Sequence, residues 1–161
     1  MKKVLLTLVP TLLFFNLAHA QTDWITYKID DKLSVKLPAE PEKIDRGVTA
    51  HTKDSLICFA YKIAEVDSAT LTRAVASPGF ADGLKQAMAS SQEGVNLGEM
   101  KTGKWNGYTC YSVDGEKTAV GLKASFLLLI IQGRIYAFGA MMPGNHDINQ
   151  KNIFFNTIKL N

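Results

Sequence analysis

The sequence predicts an α+β domain built from antiparallel hairpins, with its helices segregated from its strands. Three observations predict it. Short segments of alternating hydrophobicity, separated by turn residues, occupy most of the chain. Two stretches, 77–94 and 146–158, change to a helical period. Residues 124–131, ASFLLLII, are apolar on both faces of a strand, which places that strand centrally with cover on either side. No repeat, low-complexity tract or Ser/Gly linker divides the chain, so one domain is expected.

Residues 24–29 and 32–37 form a first hairpin joined at Asp30-Asp31, and Pro38 and Pro41 end it because neither can donate to a sheet ladder. Residues 43–51 and 55–63 form a second around Thr52 and Lys53, with Ile57, Phe59, Tyr61 and Ile63 on one face. A short helical piece is expected over 69–76. Ser77-Pro78 then reads as an N-cap followed by proline at the first helical position. Phe80, Leu84, Ala87, Met88 and Ser91 supply an apolar stripe, and Gly94 ends the helix. Further hairpins follow, with turns near Gly103 to Gly107, at Asp114-Gly115 and at Gln132-Gly133, and the last strand stops at Pro143-Gly144. In the closing segment Ile148, Phe154, Phe155 and Ile158 share an arc of roughly 120°, and Lys151 falls inside it. The expected order is four strands, a helix, four strands and a helix.

The N-terminus reads as a processing signal. Met1-Lys2-Lys3 is positive, residues 4–17 are almost uncharged and apolar, and Ala18-His19-Ala20 offers small residues at the −3 and −1 sites of a signal peptidase. Cleavage after Ala20 is expected, leaving 21–161 as one soluble exported domain, periplasmic or extracellular. Losing Lys2 and Lys3 takes two positive charges from a net of +3. No Lys/Arg cluster remains to neutralise a row of phosphates, which excludes an electrostatic nucleic-acid binder. No later apolar run is long enough to span a bilayer.

Candidate chemistry is sparse. Cys58 and Cys110 are an even pair in an exported chain and permit one disulfide, closing a long loop; the alternative is two separate buried thiols. His51 and His146 allow a cysteine–histidine pair or a histidine metal site in principle. The plainer expectation is a turn histidine at 51 and a helix-start residue at 146, where Asn145-His146-Asp147 acts as a cap. Trp24, Tyr27, Trp105 and Tyr108 either line a ligand groove or pack in the core. Asp30/Asp31 and Glu40/Glu42 flank turns and are expected to face solvent. Gly103-x-x-x-Gly107 has no following Gly-Lys-Ser/Thr, and there is no Gly-x-Ser-x-Gly elbow. No metal, cofactor or catalytic motif is expected from these patterns.

Five segments together resemble a known family. They are Trp24…Tyr27, LSVKLPAEP from Leu33, Gly103-x-x-x-Gly107, QGRIYAF from Gln132, and IFFNTIKL near the C-terminus. The chain resembles bacterial exported proteins of unknown function and is similar to the PsbP-like superfamily. That resemblance implies an antiparallel sheet sandwiched by helices, and a protein that binds or assists another envelope or secreted protein rather than catalysing. It transfers no functional residue. A non-catalytic exported binding or assembly-accessory module is the expectation. Its rivals are a small exported hydrolase whose site forms only on folding, and a structural, envelope-maintenance protein.

Overall fold

A computed structural model describes residues 24–53, 55–92, 94–144 and 148–161. The expected signal segment and His146 lie outside the described residues. Strand β1 (Ile25–Lys28) pairs antiparallel with β2 (Leu33–Leu37) as expected, the Asp30 carboxylate shaping the turn by accepting from the Lys32 and Leu33 N–H groups at 2.8 and 3.2 Å. The far edge of β2 is taken by a C-terminal strand, β11 (Lys159–Leu160), to give a three-stranded sheet.

An eight-stranded antiparallel sheet forms the centre of the molecule. Its order is β3 (Glu42–Ile44), β4 (Gly47–His51), β5 (Ile57–Glu65), β10 (Arg134–Pro143), β9 (Leu122–Ile131) and β8 (Tyr108–Lys117), with β6 (Asn96–Leu97) and β7 (Lys101–Trp105) both on the outer edge of β8. Helix α2 (Phe80–Ser91) covers one face, with α1 (Ser68–Val75) against α2, while the small sheet and α3 (Ile148–Asn156) cover the other. The result is an α+β sandwich. The doubly apolar strand is central, as its composition requires: Leu129 and Ile131 of β9 face the small sheet, and Phe126 and Leu128 face the helices.

The core on the small-sheet side is the drier of the two. Leu33, Val35 and Leu37 of β2 meet Tyr136 and Phe138 of β10, and Phe154 of α3 closes it at 0% exposure. On the helix side Phe80, Leu84 and Met88 of α2 lie over Tyr111, Leu128 and Ala137, yet no α2 residue is itself fully buried.

Several local expectations are corrected. Residues 43–51 are not one strand, since Asp45-Arg46 turns the chain between β3 and β4. Ser77 does not cap α2. Its hydroxyl donates to Ala74 O at 2.6 Å and closes α1, and α2 begins after Gly79, whose φ of 83° no side chain supplements. Asp67 is the N-cap that the sequence reading missed, accepting from Thr70 N at 2.8 Å. Asp114-Gly115 is not a turn but the middle of β8, facing Ser125 and Ala124 on β9. Glycine is needed at 115 because β6 pairs closely there, and a Cβ would press on Asn96 O at 2.9 Å. The turns that do form are two-residue hairpins at Asn106-Gly107 (φ 48° and 84°) and Gln132-Gly133 (φ 48° and 83°), the paired positive angles that suit strand twist.

Candidate functional site

Where α3 lies across the far ends of β8 and β9, three polar side chains converge. Asp114 and Ser125 are direct cross-strand partners, so their side chains leave the sheet on the same face. The Ser125 hydroxyl donates to Asp114 Oδ1. From α3, Lys151 Nζ reaches Ser125 Oγ at 3.0 Å and Asp114 Oδ1 at 3.4 Å. Ser125 is 7% exposed, and among the described residues it is the one polar residue buried to this degree. The ammonium and the carboxylate together satisfy its hydroxyl, which offsets the cost of its burial.

This trio lines a cleft of about 600 Å³, a size typical of small-molecule sites. One register step along the same ladder, Glu116 stands opposite Lys123 and also lines the cleft. Leu97 and Met142 supply apolar wall.

The cleft presents an ammonium, a carboxylate and a hydroxyl already bonded to one another. A serine nucleophile paired with lysine passes its proton to the amine, whereas here the Ser125 hydroxyl donates to Asp114 Oδ1. Acyl transfer also needs free N–H groups to meet a developing oxyanion. Two backbone N–H groups at the cleft, those of Gly98 and Gly144, are already spent on Asp114 O at 2.8 Å and Gly121 O at 2.9 Å.

The residues singled out from sequence are scattered. Cys58 and Cys110 are both free, so the disulfide that their even count permits does not form. They face the same core, but β10 and β9 lie between their strands. Three inter-strand steps of about 4.8 Å far exceed the roughly 7 Å between Cα atoms that a bridge tolerates. Burial pushes the Cys58 thiol up to about 12 and also raises Cys110. His51 is exposed at the end of β4, with Nε2 3.4 Å from Thr49 Oγ1, while neighbouring Ala50 and Cys58 turn into the core. Among the described residues no group of three His, Cys, Asp or Glu side chains is placed to hold a metal. Trp24 lines a smaller groove of about 240 Å³ with Lys36, Ile153, Asn156 and Thr157, and Trp24, Tyr27, Trp105 and Tyr108 all lie half-buried against the small-sheet core. Glu40 and Glu42 are exposed, as expected. Asp30 is not: its side chain is 14% exposed and bonded to Arg134 and Tyr136.

Asp114, Ser125 and Lys151 escaped the sequence reading as a site. Two of them left a trace: Ser125 interrupts an apolar strand, and Lys151 interrupts the apolar arc of a helix.

The fold and this layered arrangement define the class: a PsbP-like α+β sandwich. Among solved structures the chain is similar to the solution structure of cyanobacterial PsbP (CyanoP) from Synechocystis sp. PCC 6803, at 10% identity and a TM-score of 0.53 over 85% of this chain and 92% of that one. It also matches a protein of unknown function from Pseudomonas aeruginosa, PA94, described as a putative regulator, at 12% identity and a TM-score of 0.45 over 83% and 91% of the two chains. No family model and no curated protein sequence matches the chain. At 10% identity the likeness to CyanoP is one of fold. Among the described residues no helix is long and apolar enough to cross a membrane.

Proposed function

We propose that this is an exported, non-catalytic binding module whose recognition site is the cleft beside α3. One observation carries the reading. Ser125 and Lys151 enter a ligand-sized cleft already tied to Asp114, so the site holds fixed polar groups but no poised nucleophile. The N-terminal pattern ending in Ala18-His19-Ala20 supports export. To test the reading, the mature protein is exposed to periplasmic extract, re-isolated and weighed by native mass spectrometry. A bound species that Lys151→Ala releases is the expected result. Its absence from the wild type, or its retention by the variant, would count against the cleft.

The hydrolase reading is favoured by one specific distance, the 3.0 Å between Ser125 Oγ and Lys151 Nζ. A fluorophosphonate probe separates the two. The binding reading expects no adduct, whereas a Ser125 adduct that Ser125→Ala abolishes would establish a nucleophile.

A further inference from the structure

We propose that the cleft takes a small zwitterion, namely an α-amino acid or short peptide with an apolar side chain. This rests on the reading of the cleft as a recognition site and adds the chemistry of its ligand. The lining holds two carboxylates, Asp114 and Glu116, and two ammonium groups, Lys123 and Lys151. A polyanion would be brought against both carboxylates, and a polycation against both lysines; like charges forced together in a site are strongly disfavoured. A ligand carrying one charge of each sign meets a partner for both.

The register fixes how those charges are laid out. Asp114 and Glu116 are two residues apart on one strand and so share a face, about 7 Å from each other. Ser125 and Lys123 stand directly opposite them on β9. The floor of the cleft is therefore a small lattice of alternating character, with Lys151 arriving over its Asp114–Ser125 end.

The bonding capacity left over also has both signs. Lys151 has three N–H donors, and two are spent on Ser125 and Asp114. Among the described residues only Oδ1 of Asp114 is engaged, on a side chain 76% exposed. Glu116 and Lys123 face each other in register, yet neither makes an ion pair among the described residues. An incoming carboxylate finds the third Lys151 donor and Lys123; an incoming ammonium finds Glu116 and Asp114 Oδ2. Leu97 and Met142 then form the wall for an apolar side chain.

The test is an amide-resolved NMR titration of the mature protein with L-leucine, leucyl-leucine, N-acetyl-leucine, leucinamide and inorganic phosphate. Saturable shifts at Ser125 and Lys151 are expected with leucyl-leucine or leucine. N-acetyl-leucine, which lacks the ammonium, and leucinamide, which lacks the carboxylate, should each bind at least about tenfold more weakly, the loss of one charged contact. Glu116→Gln, at the mouth of the cleft, should remove the preference for leucine over N-acetyl-leucine while leaving thermal unfolding unchanged. Phosphate or N-acetyl-leucine binding as tightly as leucyl-leucine would overturn the zwitterion and leave the cleft as a site. If no probe moves the cleft amides while capture from extract succeeds, the zwitterion falls alone. If both fail, the binding reading falls with it.

Discussion

Tyr136 donates its phenolic hydrogen to Asp30 Oδ2 across 2.8 Å, joining the large sheet to the small one between residues 106 positions apart. The same carboxylate builds the β1–β2 turn through Oδ1 and takes Arg134 Nη1 on Oδ2 at 3.2 Å. Arg134 also reaches Asp31 and, through Nε, Glu65 at 3.0 Å. Asn161 Nδ2 adds a bond to Asp30 O at 2.9 Å, so the C-terminus is held at the same corner. The β1–β2 turn and the start of β10 thus meet through side chains.

Tyr136 has no exposed surface, so its hydroxyl depends on Asp30. Tyr136→Phe should cost about 2 kcal/mol, the range for a hydrogen bond to a charged group. Asp30→Ala should cost more, because it also frees two turn N–H groups. Urea unfolding of both single variants and the double variant should show about 1 kcal/mol or more of coupling. Strict additivity would mean that the bond links the sheets in geometry but not in energy.

Stability should fall in acid. Asp31 is held below the usual carboxylate range chiefly by its Arg134 hydrogen bond, Glu65 by Lys62 and then Arg134, and Asp67 by the Thr70 backbone N–H. A carboxyl lowered by folding stabilises above its unfolded pKa of about 4, and that contribution disappears as pH drops through the folded value. Asp31→Asn should therefore lower the urea midpoint at pH 6, with the gap to wild type closing as pH falls below about 4. A gap that does not change with pH would show that the ion pair adds nothing to folding.

Much of the sheet was legible because alternation and positive-φ turn residues are local signals. β1, β2, β9 and β10 follow from them directly, and so does the Gln132-Gly133 turn. β11 was not legible, since two residues, Lys159 and Leu160, cannot display a period. Asp114-Gly115 misled for a physical reason: the same dipeptide serves a hairpin by its φ and a crowded sheet by its missing Cβ. The cleft was half legible. Ser125 and Lys151 are polar residues where the pattern demands apolar ones, but Asp114 looks like any solvent-facing strand residue until the β8–β9 register sets it opposite Ser125.

Gly139 illustrates the helix-side packing. A Cβ there would overlap the tip of the Phe59 ring, which also contacts the rings of Tyr61 and Phe126 at centroid separations of 5.7 and 5.9 Å. Gly139→Ala should destabilise by about 2–3 kcal/mol through overpacking. Phe59→Leu should recover part of that loss in the double variant. An alanine tolerated at no cost would show that the ring can shift freely.

The two thiols should differ in reactivity, because the thiolate is the reacting form. Burial raises Cys58 to about 12, and its side chain lies at 0% exposure under the small sheet. Cys110 is half-buried and raised less, with Lys104 and the Gly103 backbone opposing burial. Unreduced native protein at pH 8 should keep its mass on adding reductant, should take one iodoacetamide label slowly at Cys110, and should take the second only in denaturant. The linkage here has the opposite sign to that of the carboxylates. A thiol raised by folding stabilises below its unfolded pKa, so its contribution fades as pH climbs from about 9 towards 12. Cys58→Ala should flatten that alkaline fall while lowering stability at neutral pH through the cavity it leaves. Rapid labelling of Cys58 in the native state would mean that the small sheet lifts from β5 far more often than this buried core implies.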